Sequence, residues 1–243
     1  IVSIEAVDAI EKHCNLSWVG PLKKRATLDA CDDAVNTAMD QMGDINIYSI
    51  YVDVCQEPSP QARQLAKYNR ITGAMVDRQQ RAVDQRKREV PFPPNVCVDN
   101  YLHTYLNRAD VQAAIHADPT PWSSCSNTVQ YSHKDLATSV IPVYQRLLAR
   151  GDLSILVYSG DVDGIVAYEG TSYWMPKLGL KVLKPWRQWL DDTKNVGGYF
   201  TGYEKGFGFS TVRGAGHECP TWQASRSLQM FSDWIKYKTI RTN

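Results

Sequence analysis

Apolar residues recur along the first part of the chain at the spacing of amphipathic helices. Within residues 1–54, they repeat every three or four positions over 4–14 and again over 28–42, where Gly43 suits the end of a helix. Residues 44–54 favour extended structure but form only a short run. The pattern therefore predicts two amphipathic helices ahead of a β-sheet.

The pattern changes after residue 95, where apolar runs of strand length alternate with helical periods. This alternation indicates an α/β arrangement, because a parallel sheet alternates its buried strands with helices. The predicted helices cover residues 100–117, 136–150, 170–178 and 222–237. The predicted core strands cover residues 153–158 and 209–212, and residues 180–183 and 199–203 are predicted to pair as strands.

Aromatic and apolar side chains near the end of the chain carry two further expectations. The last predicted helix has an apolar side that we expect to be buried. That side is formed by Leu228, Phe231, Trp234 and Ile235. Trp186 and Trp189 are expected in a loop between the two pairing strands. A Trp in such a loop can contact a substrate, but packing is the favoured interpretation.

Residues 56–95 differ from both neighbouring regions in composition. Prolines open and close the segment, large apolar residues are few, and basic residues are frequent, with a cluster at 86–88. One interpretation is a solvated helix or loop, which is the usual structure of a charge-rich run. The other is a linker that proteases trim, because exposed polar segments are preferred sites of cleavage. The residues leave both interpretations open.

Charge and hydropathy argue against two classes of partner. The 243 residues contain 27 basic and 26 acidic side chains, so the formal net charge is +1. A nucleic-acid-binding surface requires a basic face or a high isoelectric point, so we expect no nucleic acid partner. No run approaches the ~20 consecutive apolar residues of a transmembrane helix, so we expect no membrane partner.

The six cysteines favour disulfide bonds over metal ligation. They form no Cys-x-x-Cys pair and no Cys/His set with zinc spacing, so neither a metal nor a cofactor is expected. Disulfides in an oxidising compartment are the favoured interpretation, and reduced buried thiols in a cytosolic protein are the alternative. Asn15 begins the Asn-Leu-Ser triplet, which can accept an N-linked glycan. The cysteines are Cys14, Cys31, Cys55, Cys97, Cys125 and Cys219.

Two apolar runs end at glycine and then present polar side chains. The first leads to Asp161 and Asp163, and the second leads to His217. In α/β sheets, the loops at the carboxyl ends of buried strands carry the chemistry. An acid followed by a histidine is the second part of the order Ser, Asp, His in α/β-hydrolases. The chain has no Gly-x-Ser-x-Gly pentapeptide, so we expect it to carry two of the three members of a catalytic triad.

Two further histidine and cysteine positions have both a chemical and a structural interpretation. Cys219, two positions after His217, could be a reactive thiol if a cation lowered its pKa, but a small buried apolar residue is favoured. His116 ends a predicted helix, where a histidine caps or packs more often than it catalyses. Neither Cys219 nor His116 is therefore expected to act in catalysis.

Two segments resemble the Asp and His motifs of the serine carboxypeptidases, the family of carboxypeptidase Y, cathepsin A and the plant carboxypeptidases. They are Tyr-Ser-Gly-Asp-Val-Asp-Gly at 158–164 and Val-Arg-Gly-Ala-Gly-His-Glu-Cys-Pro at 212–220. Residues 101–116 resemble the segment at which the family chain re-enters its core. The resemblance covers nearly all of the chain, as the C-terminal half of the family, and is strongest from residue 96 onward.

The resemblance implies an α/β-hydrolase fold with an inserted helical cap. Residues 1–95 would form the cap region, including the basic linker 56–95, which is excised in several resembled enzymes. Residues 96–243 would form the C-terminal part of the α/β-hydrolase core. The implied disulfides are Cys14–Cys31, Cys55–Cys97 and a bridge from Cys125 to a cysteine outside this chain.

The resemblance also implies an activity, the release of C-terminal residues from peptides through an acyl-enzyme. His217 would take up and return the proton of a serine, and Asp163, the second acid of the Gly-Asp-x-Asp motif, would orient the imidazole ring. Asp161 would instead order the turn through local hydrogen bonds. The serine would come from an N-terminal chain or segment of the same precursor, so this chain alone would be inactive.

Other functions of the same fold remain open from the sequence. The enzymatic alternatives are an acyltransferase or a hydroxynitrile lyase, and the non-enzymatic alternative is a structural or binding subunit. The expected partners are the N-terminal segment, a peptide substrate and a second copy in a homodimer. The expected location is the secretory pathway, with a vacuole, a lysosome or the extracellular space as the destination.

Overall fold

The computed structural model describes residues 2–14, 29–55, 96–124, 126, 128, 132 and 138–241. These residues belong to two compact units. One lies within Ile1–Ile45 and Asp53–Thr138, and the other within Asn46–Val52 and Ser139–Asn243. The features that lie outside the described residues are the linker 56–95, the acceptor Asn15 and the cysteine Cys125. The predicted division at residue 95 stays a prediction.

Helices build the described part of the first unit. They are α1 (Ile4–His13), α2 (Asp29–Met42), α3 (Val98–Leu106) and α4 (Ala109–Ala114). Ser3 caps α1, because its Oγ accepts a hydrogen bond from the backbone nitrogen of Ala6 at 3.2 Å. α1 and α2 pack together and bury small side chains, including Ala6, Ala34 and Ala38. The two helices predicted within residues 1–54 are confirmed.

Two disulfides bond the described part of the first unit. They join Cys14 to Cys31 and Cys55 to Cys97, which are the pairs that the resemblance implies. The sequence separations are 17 and 42 residues. Each bond therefore closes a sizeable loop and restricts the unfolded chain more than a short loop would.

The helix predicted over residues 100–117 is interrupted between α3 and α4. The Asn107 amide donates to the backbone oxygens of His103 and Trp122 at 2.8 and 3.0 Å, and its oxygen accepts from Trp122 N at 2.8 Å. Arg108 is then extended, with φ −75° and ψ 132°. An Asn side chain competes with helical hydrogen bonds in this way, which apolar periodicity does not reveal.

The described part of the second unit is built on a four-stranded mixed sheet in the order β1, β4, β3, β2. The strands are β1 (Ile155–Gly160), β2 (Val182–Leu190), β3 (Val196–Tyr203) and β4 (Phe207–Val212). β1 and β4 are parallel, whereas β4, β3 and β2 are antiparallel neighbours. The two predicted core strands are confirmed as β1 and β4, with bounds that differ by a few residues.

Helices connect and follow these strands. They are α5 (Ile141–Ala149), α6 (Tyr168–Trp174), a 3₁₀ turn (Met175–Leu178), α7 (Cys219–Trp222) and α8 (Ala224–Tyr237). α5 begins at Ile141, and Pro142 lies in its first turn, where no backbone donor is needed. The predicted start at residue 136 lies outside the described residues. The helix predicted over 170–178 is confirmed as α6 and the 3₁₀ turn.

Trp186 and Trp189 lie within β2, so the expectation of a loop at these residues is wrong. Trp189 is fully buried, and its Nε1 donates to Ser210 Oγ and Thr211 O, both at 3.2 Å. Trp186 stacks on Tyr199 with the ring centroids 5.3 Å apart. The chain reverses direction after β2, between Leu190 and Val196. The packing interpretation is confirmed for Trp189, because its polar nitrogen is satisfied inside the core.

The apolar side predicted for the last helix is confirmed for Trp234 and wrong for Leu228, Phe231 and Ile235. α8 buries Met230 and Trp234, together with Ser227 and Asp233, whereas Leu228, Phe231 and Ile235 are 66%, 58% and 54% exposed. Successive residues of a helix are rotated by about 100°, so the two stripes face different sides. A single predicted helix over 222–237 is also divided, because α7 ends before Gln223. The exposed stripe is Leu228, Phe231 and Ile235.

β4 separates two apolar clusters of the second unit. Val212 of β4 belongs to a cluster with Trp189, Phe200 and Trp234, and Phe207 and Phe209 belong to another with Leu148, Met175 and Leu178. Alternate residues of a strand point to opposite faces, and every residue of β4 is buried. β4 is thus held on both faces, which fixes the backbone that leads to His217. No helix among the described residues has the length and apolar character needed to cross a membrane.

Candidate active site

The parallel pair β1 and β4 brings Asp163 and His217 together. Gly160 ends β1 and lies opposite Val212, which ends β4. The carboxyl ends of both strands therefore lie at the same edge of the sheet, and each continues directly into a loop. Asp163 Oδ2 lies 2.9 Å from His217 Nδ1. The two residues are 54 positions apart in sequence, so the sheet register places them in contact.

The Asp163 carboxylate is anchored on one oxygen and presents the other to the histidine. Its Oδ1 accepts hydrogen bonds from the backbone nitrogens of Ile165 at 2.9 Å and Val166 at 3.1 Å. The Asp163 side chain is 5% exposed, and the His217 side chain is 40% exposed. A buried acid that holds an accessible imidazole by Nδ1 leaves the opposite ring nitrogen for a proton transfer.

Asp161 contacts the loop before His217 rather than the imidazole. Its Oδ1 accepts a hydrogen bond from the backbone nitrogen of Gly214 at 2.7 Å. Burial raises the pKa of Asp161 above its usual value, although the Gly214 N–H lowers it in part. The hydrogen bond crosses from one loop to the other, whereas the sequence favoured bonds within the turn. Asp161 and Asp163 thus have different contacts in spite of their adjacent places in the motif.

A segment far from both motifs, Asn46–Val52, borders the Asp163 loop. Ile50 N donates to Val162 O at 3.0 Å, and Gly164 N donates to Ile47 O at 2.9 Å. Asp163 therefore has a backbone hydrogen bond to this segment on each side. Nothing in the sequence indicated this role, because the segment has only a short β-prone pattern. We call it the 46–52 segment below.

The 46–52 segment also contacts His217. The backbone nitrogen of His217 donates to Tyr48 O at 2.7 Å, and the Tyr48 ring lies with its centroid 5.6 Å from that of the imidazole. A Cβ atom at Gly216 would overlap Tyr48 O and would lie 2.7 Å from Ser49 Cβ. Gly216 is therefore required by the close approach of the two backbones.

Polar side chains hold the turn that precedes His217. Arg226 of α8 donates from Nη1 to Arg213 O at 2.9 Å and from Nε to Asp191 Oδ2 at 3.0 Å. Gln223 donates to Gly214 O at 3.2 Å. The Thr193 hydroxyl and the Arg226 guanidinium stabilise the carboxylate and lower the pKa of Asp191 to about 2. The charge that fixes Arg226 is thus retained over most of the pH range.

Cys219 and His116 have the structural roles that the sequence favoured. Cys219 is 1% exposed, and burial raises the pKa of its thiol to about 12. A thiol that stays protonated at neutral pH is a poor nucleophile. His116 follows α4 with φ of 58°, and its backbone nitrogen donates to Ala113 O at 3.1 Å. Among the described residues, no cluster of three or more His, Cys, Asp or Glu side chains could hold a metal ion.

An apolar groove runs beside the same strand that leads to Asp163. It has a volume of about 580 Å³ and lies between β1 and α8. Its lining includes Leu156 and Tyr158 of β1 and Leu228, Phe231 and Trp234 of α8. Exposed apolar surface of this kind is typical of sites that bind another molecule or segment. We call it the β1–α8 groove.

Comparison with known proteins identifies the family of the chain. The family model described as serine carboxypeptidase matches residues 1–237. Serine carboxypeptidase 24 of Arabidopsis thaliana is 34% identical over 245 residues, which cover 99% of this chain and 49% of the relative. Serine carboxypeptidase-like 35 of the same plant is 37% identical over 211 residues, which cover 85% of this chain and 42% of the relative.

The chain spans about half of the length of the curated relatives that it matches. The family match includes both the loop with Asp163 and the loop with His217, as well as the 46–52 segment. With the family model covering nearly the whole sequence, the chain belongs to the serine carboxypeptidase family.

Proposed function

We propose that this chain supplies the acid and the base of a serine-type carboxypeptidase. The observation that carries the proposal is the 2.9 Å contact between buried Asp163 and half-exposed His217. His217 would accept the proton of a serine hydroxyl as the serine attacks a peptide carbonyl, and would then return it to the leaving amine. Asp163 would hold the ring and stabilise its protonated form. Water would repeat the cycle on the acyl-enzyme.

The nucleophilic serine comes, in this proposal, from an N-terminal chain or segment of the same precursor. Two observations support it: the chain lacks a Gly-x-Ser-x-Gly pentapeptide, and it spans about half of its relatives. Without that segment the chain would be inactive. Cys125 would form a disulfide with the segment. A peptide is the proposed substrate, and a homodimer is the proposed assembly of the processed enzyme.

The two outer strands of the sheet support a further segment beside β1. β2 carries Lys184, Pro185 and Arg187, which are residues that prevent strands from adding to an exposed edge. β1 has the apolar run Ile155–Val157 and, among the described residues, pairs only with β4. Parallel strands are normally covered on both faces. The segment with the serine would therefore pair with β1 and fill the β1–α8 groove.

The complete fold is, in this proposal, an α/β-hydrolase with a helical cap. The mixed sheet and its flanking helices agree with that fold, and residues 1–95 would include the cap. Residues 56–95 would form a linker that is open to excision. The disulfides of the first unit suit an oxidising compartment, and glycosylation at Asn15 would accompany passage through the secretory pathway. A vacuole, a lysosome or the extracellular space would be the destination.

Hydrolysis of a blocked dipeptide by the native protein tests the proposed function. The carboxypeptidase interpretation expects release of the C-terminal amino acid and its loss in His217→Ala. Acyl transfer from an activated ester without peptide hydrolysis would indicate the acyltransferase alternative, and cleavage of a cyanohydrin would indicate the hydroxynitrile lyase. Absence of all three activities in a protein that contains the serine-bearing segment would favour a structural or binding subunit.

A further inference from the structure

The 46–52 segment contacts both loops of the candidate site at the positions that flank the catalytic pair. Its hydrogen bonds to Val162 O and Gly164 N, at 3.0 and 2.9 Å, lie on either side of Asp163. Its third hydrogen bond, from His217 N to Tyr48 O, measures 2.7 Å. A stretch of seven residues thus holds the backbones of the acid and the base at once.

The bonds made directly between the two loops lie closer to the strands. Val162 N donates to Ala215 O at 3.1 Å, and Gly214 N donates to Asp161 Oδ1 at 2.7 Å. These bonds fix the bases of the loops where they leave β1 and β4. The backbone beyond them, at Gly164 and His217, is bonded to the 46–52 segment instead. The separation of Asp163 Oδ2 from His217 Nδ1 therefore depends on where that segment lies.

The Tyr48 side chain adds a contact with the imidazole itself. The planes of the two rings are inclined by 54°, with the centroids 5.6 Å apart. A tilted aromatic contact restricts rotation of the imidazole about its side-chain torsions. The backbone of Tyr48 thus limits where His217 lies, and the ring limits how its imidazole is turned.

We infer that the 46–52 segment is a positioning element for the Asp163–His217 pair, with Tyr48 and Ile50 as its positioning residues. The inference concerns the geometry of the pair, and its effect on turnover rests on the proposed function. A general base must lie within hydrogen-bond reach of its proton, and small displacements of such groups cost large factors in rate. The segment would therefore act on the reaction through Asp163 and His217, without contact with the substrate.

The main test uses Gly164→Ala, because an added Cβ there would lie 2.9 Å from Ile50 Cγ2 and 3.0 Å from Ile47 O. The assembled protein, meaning this chain together with the segment that carries the serine, should lose about 100-fold in kcat with little change in KM. Ile50→Ala, added to Gly164→Ala, removes the closer of the two clashes. It should raise kcat about tenfold above that of Gly164→Ala, to about a tenth of the wild-type value.

Gly170→Ala is the matched control, since an added Cβ in α6 would meet no atom within 4 Å. It should leave kcat and KM unchanged. A general loss of stability would lower the melting temperature and the fraction of folded enzyme, whereas the inference expects a lower kcat per folded molecule. Rescue by Ile50→Ala separates displacement of the segment from a direct effect of the methyl group on Asp163.

A second measurement is independent of activity. A histidine Nδ1 proton held against a carboxylate gives an NMR resonance far downfield of other nitrogen-bound protons. In the native protein this resonance should be present, should weaken or disappear in Gly164→Ala and Tyr48→Leu, and should persist in Tyr48→Phe, which keeps the ring. If the native protein has no hydrolytic activity, the proposed function fails, while the resonance still tests the inference.

Two outcomes would contradict the role of the 46–52 segment. Gly164→Ala and Tyr48→Leu with wild-type kcat and an unchanged downfield resonance would overturn the inference. So would a loss in Gly164→Ala that Ile50→Ala leaves unaltered. Should Gly164→Ala not fold, the comparison of Tyr48→Leu with Tyr48→Phe decides, because Tyr48 is 42% exposed and its substitution leaves the core intact.

Discussion

The carboxyl end of β1 and its flank beside α8 differ in how far their side chains have partners within the described residues. At the end, Asp163 and His217 are in contact, and the loops around them are joined by hydrogen bonds between 2.7 and 3.1 Å. Along the flank, the β1–α8 groove is open, and Leu228 and Phe231 of its lining are largely exposed. The first region contains the bonded Asp163–His217 pair, and the second has an apolar surface that no described residue covers.

The difference reflects what polar and apolar groups each require. Polar groups of a catalytic pair must be satisfied locally, because buried carboxylates without partners are costly. Apolar surface can instead stay exposed until another segment binds, because its burial then stabilises the complex. The chain therefore combines an internally bonded Asp163–His217 pair with an exposed apolar groove, and the variants below test each region against the other.

The largest expected effect is at the catalytic end. Asp163→Asn keeps the shape of the side chain but reverses the hydrogen bond to Nδ1, which favours the wrong imidazole tautomer. In the assembled protein, kcat should fall by about 10⁴-fold. Asp192→Asn, at an exposed acid of the same unit, is the control and should leave kcat unchanged. Steady-state kinetics with a blocked dipeptide gives the result, and a loss below tenfold would exclude the proposed role of Asp163.

Two adjacent residues of α8 compare the buried and exposed sides of the helix. Met230→Ala removes a buried side chain and should lower the free energy of unfolding by about 2–5 kcal/mol. Phe231→Ala should change it by less than about 0.5 kcal/mol in this chain without its partner segment. Chemical denaturation of the chain measures both values.

Phe231→Ala also tests the proposed cover of the β1–α8 groove. In the assembled protein, Phe231→Ala should weaken association with the segment that carries the serine by at least about tenfold, or 1.4 kcal/mol. Titration of the two parts by calorimetry measures this change. Equal affinities for Phe231→Ala and the wild type would mean that the segment does not cover the β1–α8 groove.

A smaller effect is expected from the salt bridge that supports the turn before His217. Folding lowers the pKa of Asp191 from its usual value of 3.8 to about 2, so the carboxylate stabilises the fold above pH ~4 and loses this contribution as the pH falls towards 2. Asp191→Asn should lower stability by about 1–2 kcal/mol at pH 6, and the difference from the wild type should shrink in acid. Denaturant titrations from pH 6 to pH 2.5 measure both.

Asp152→Asn is the matched control for Asp191→Asn. Asp152 also pairs with an arginine, Arg150, at 2.8 Å, but both side chains are 60% exposed. Solvent screens such a pair, so the substitution should have little effect at any pH. Equal pH dependence of the two variants would contradict the account of Asp191.

The smallest effect concerns Cys219. Its thiol is buried and has a pKa raised to about 12, so it should not react with iodoacetamide at pH 7.5 in the native protein. It should react after denaturation in guanidinium without reductant. Mass spectrometry of the peptide that contains Cys219 distinguishes the two, and rapid labelling of the native protein would show a reactive thiol instead.

Asp163 and His217 could be selected from the sequence as a candidate pair because each of their loops follows an apolar strand directly. The parallel pairing of β1 with β4, with Gly160 opposite Val212, was not predicted and comes from the structure. The 46–52 segment could not be predicted. Three of its contacts are backbone hydrogen bonds, in which Ile47 and Tyr48 accept through their carbonyl oxygens and Ile50 donates. Such bonds do not depend on the side chain, and their partners lie more than 100 positions away in sequence.

The wrong predictions of the fold also arise from contacts that a sequence pattern does not show. Apolar periodicity in α8 marks surface to be covered but does not say by what, so Leu228, Phe231 and Ile235 were expected in the core of this chain. The loop expected at Trp186 and Trp189 was wrong because β2 is an exposed edge strand, whose polar and charged positions resemble a loop. Helix propensity likewise gave no sign of the hydrogen bonds that Asn107 makes to Trp122.

The most direct test of the central claim is labelling of the native protein with a fluorophosphonate, followed by mass spectrometry of the labelled peptide. The account predicts one labelled serine on a polypeptide segment outside residues 1–243, and loss of that label in His217→Ala. A native protein that takes no label, or one in which the label falls on a serine of this chain, would contradict the account.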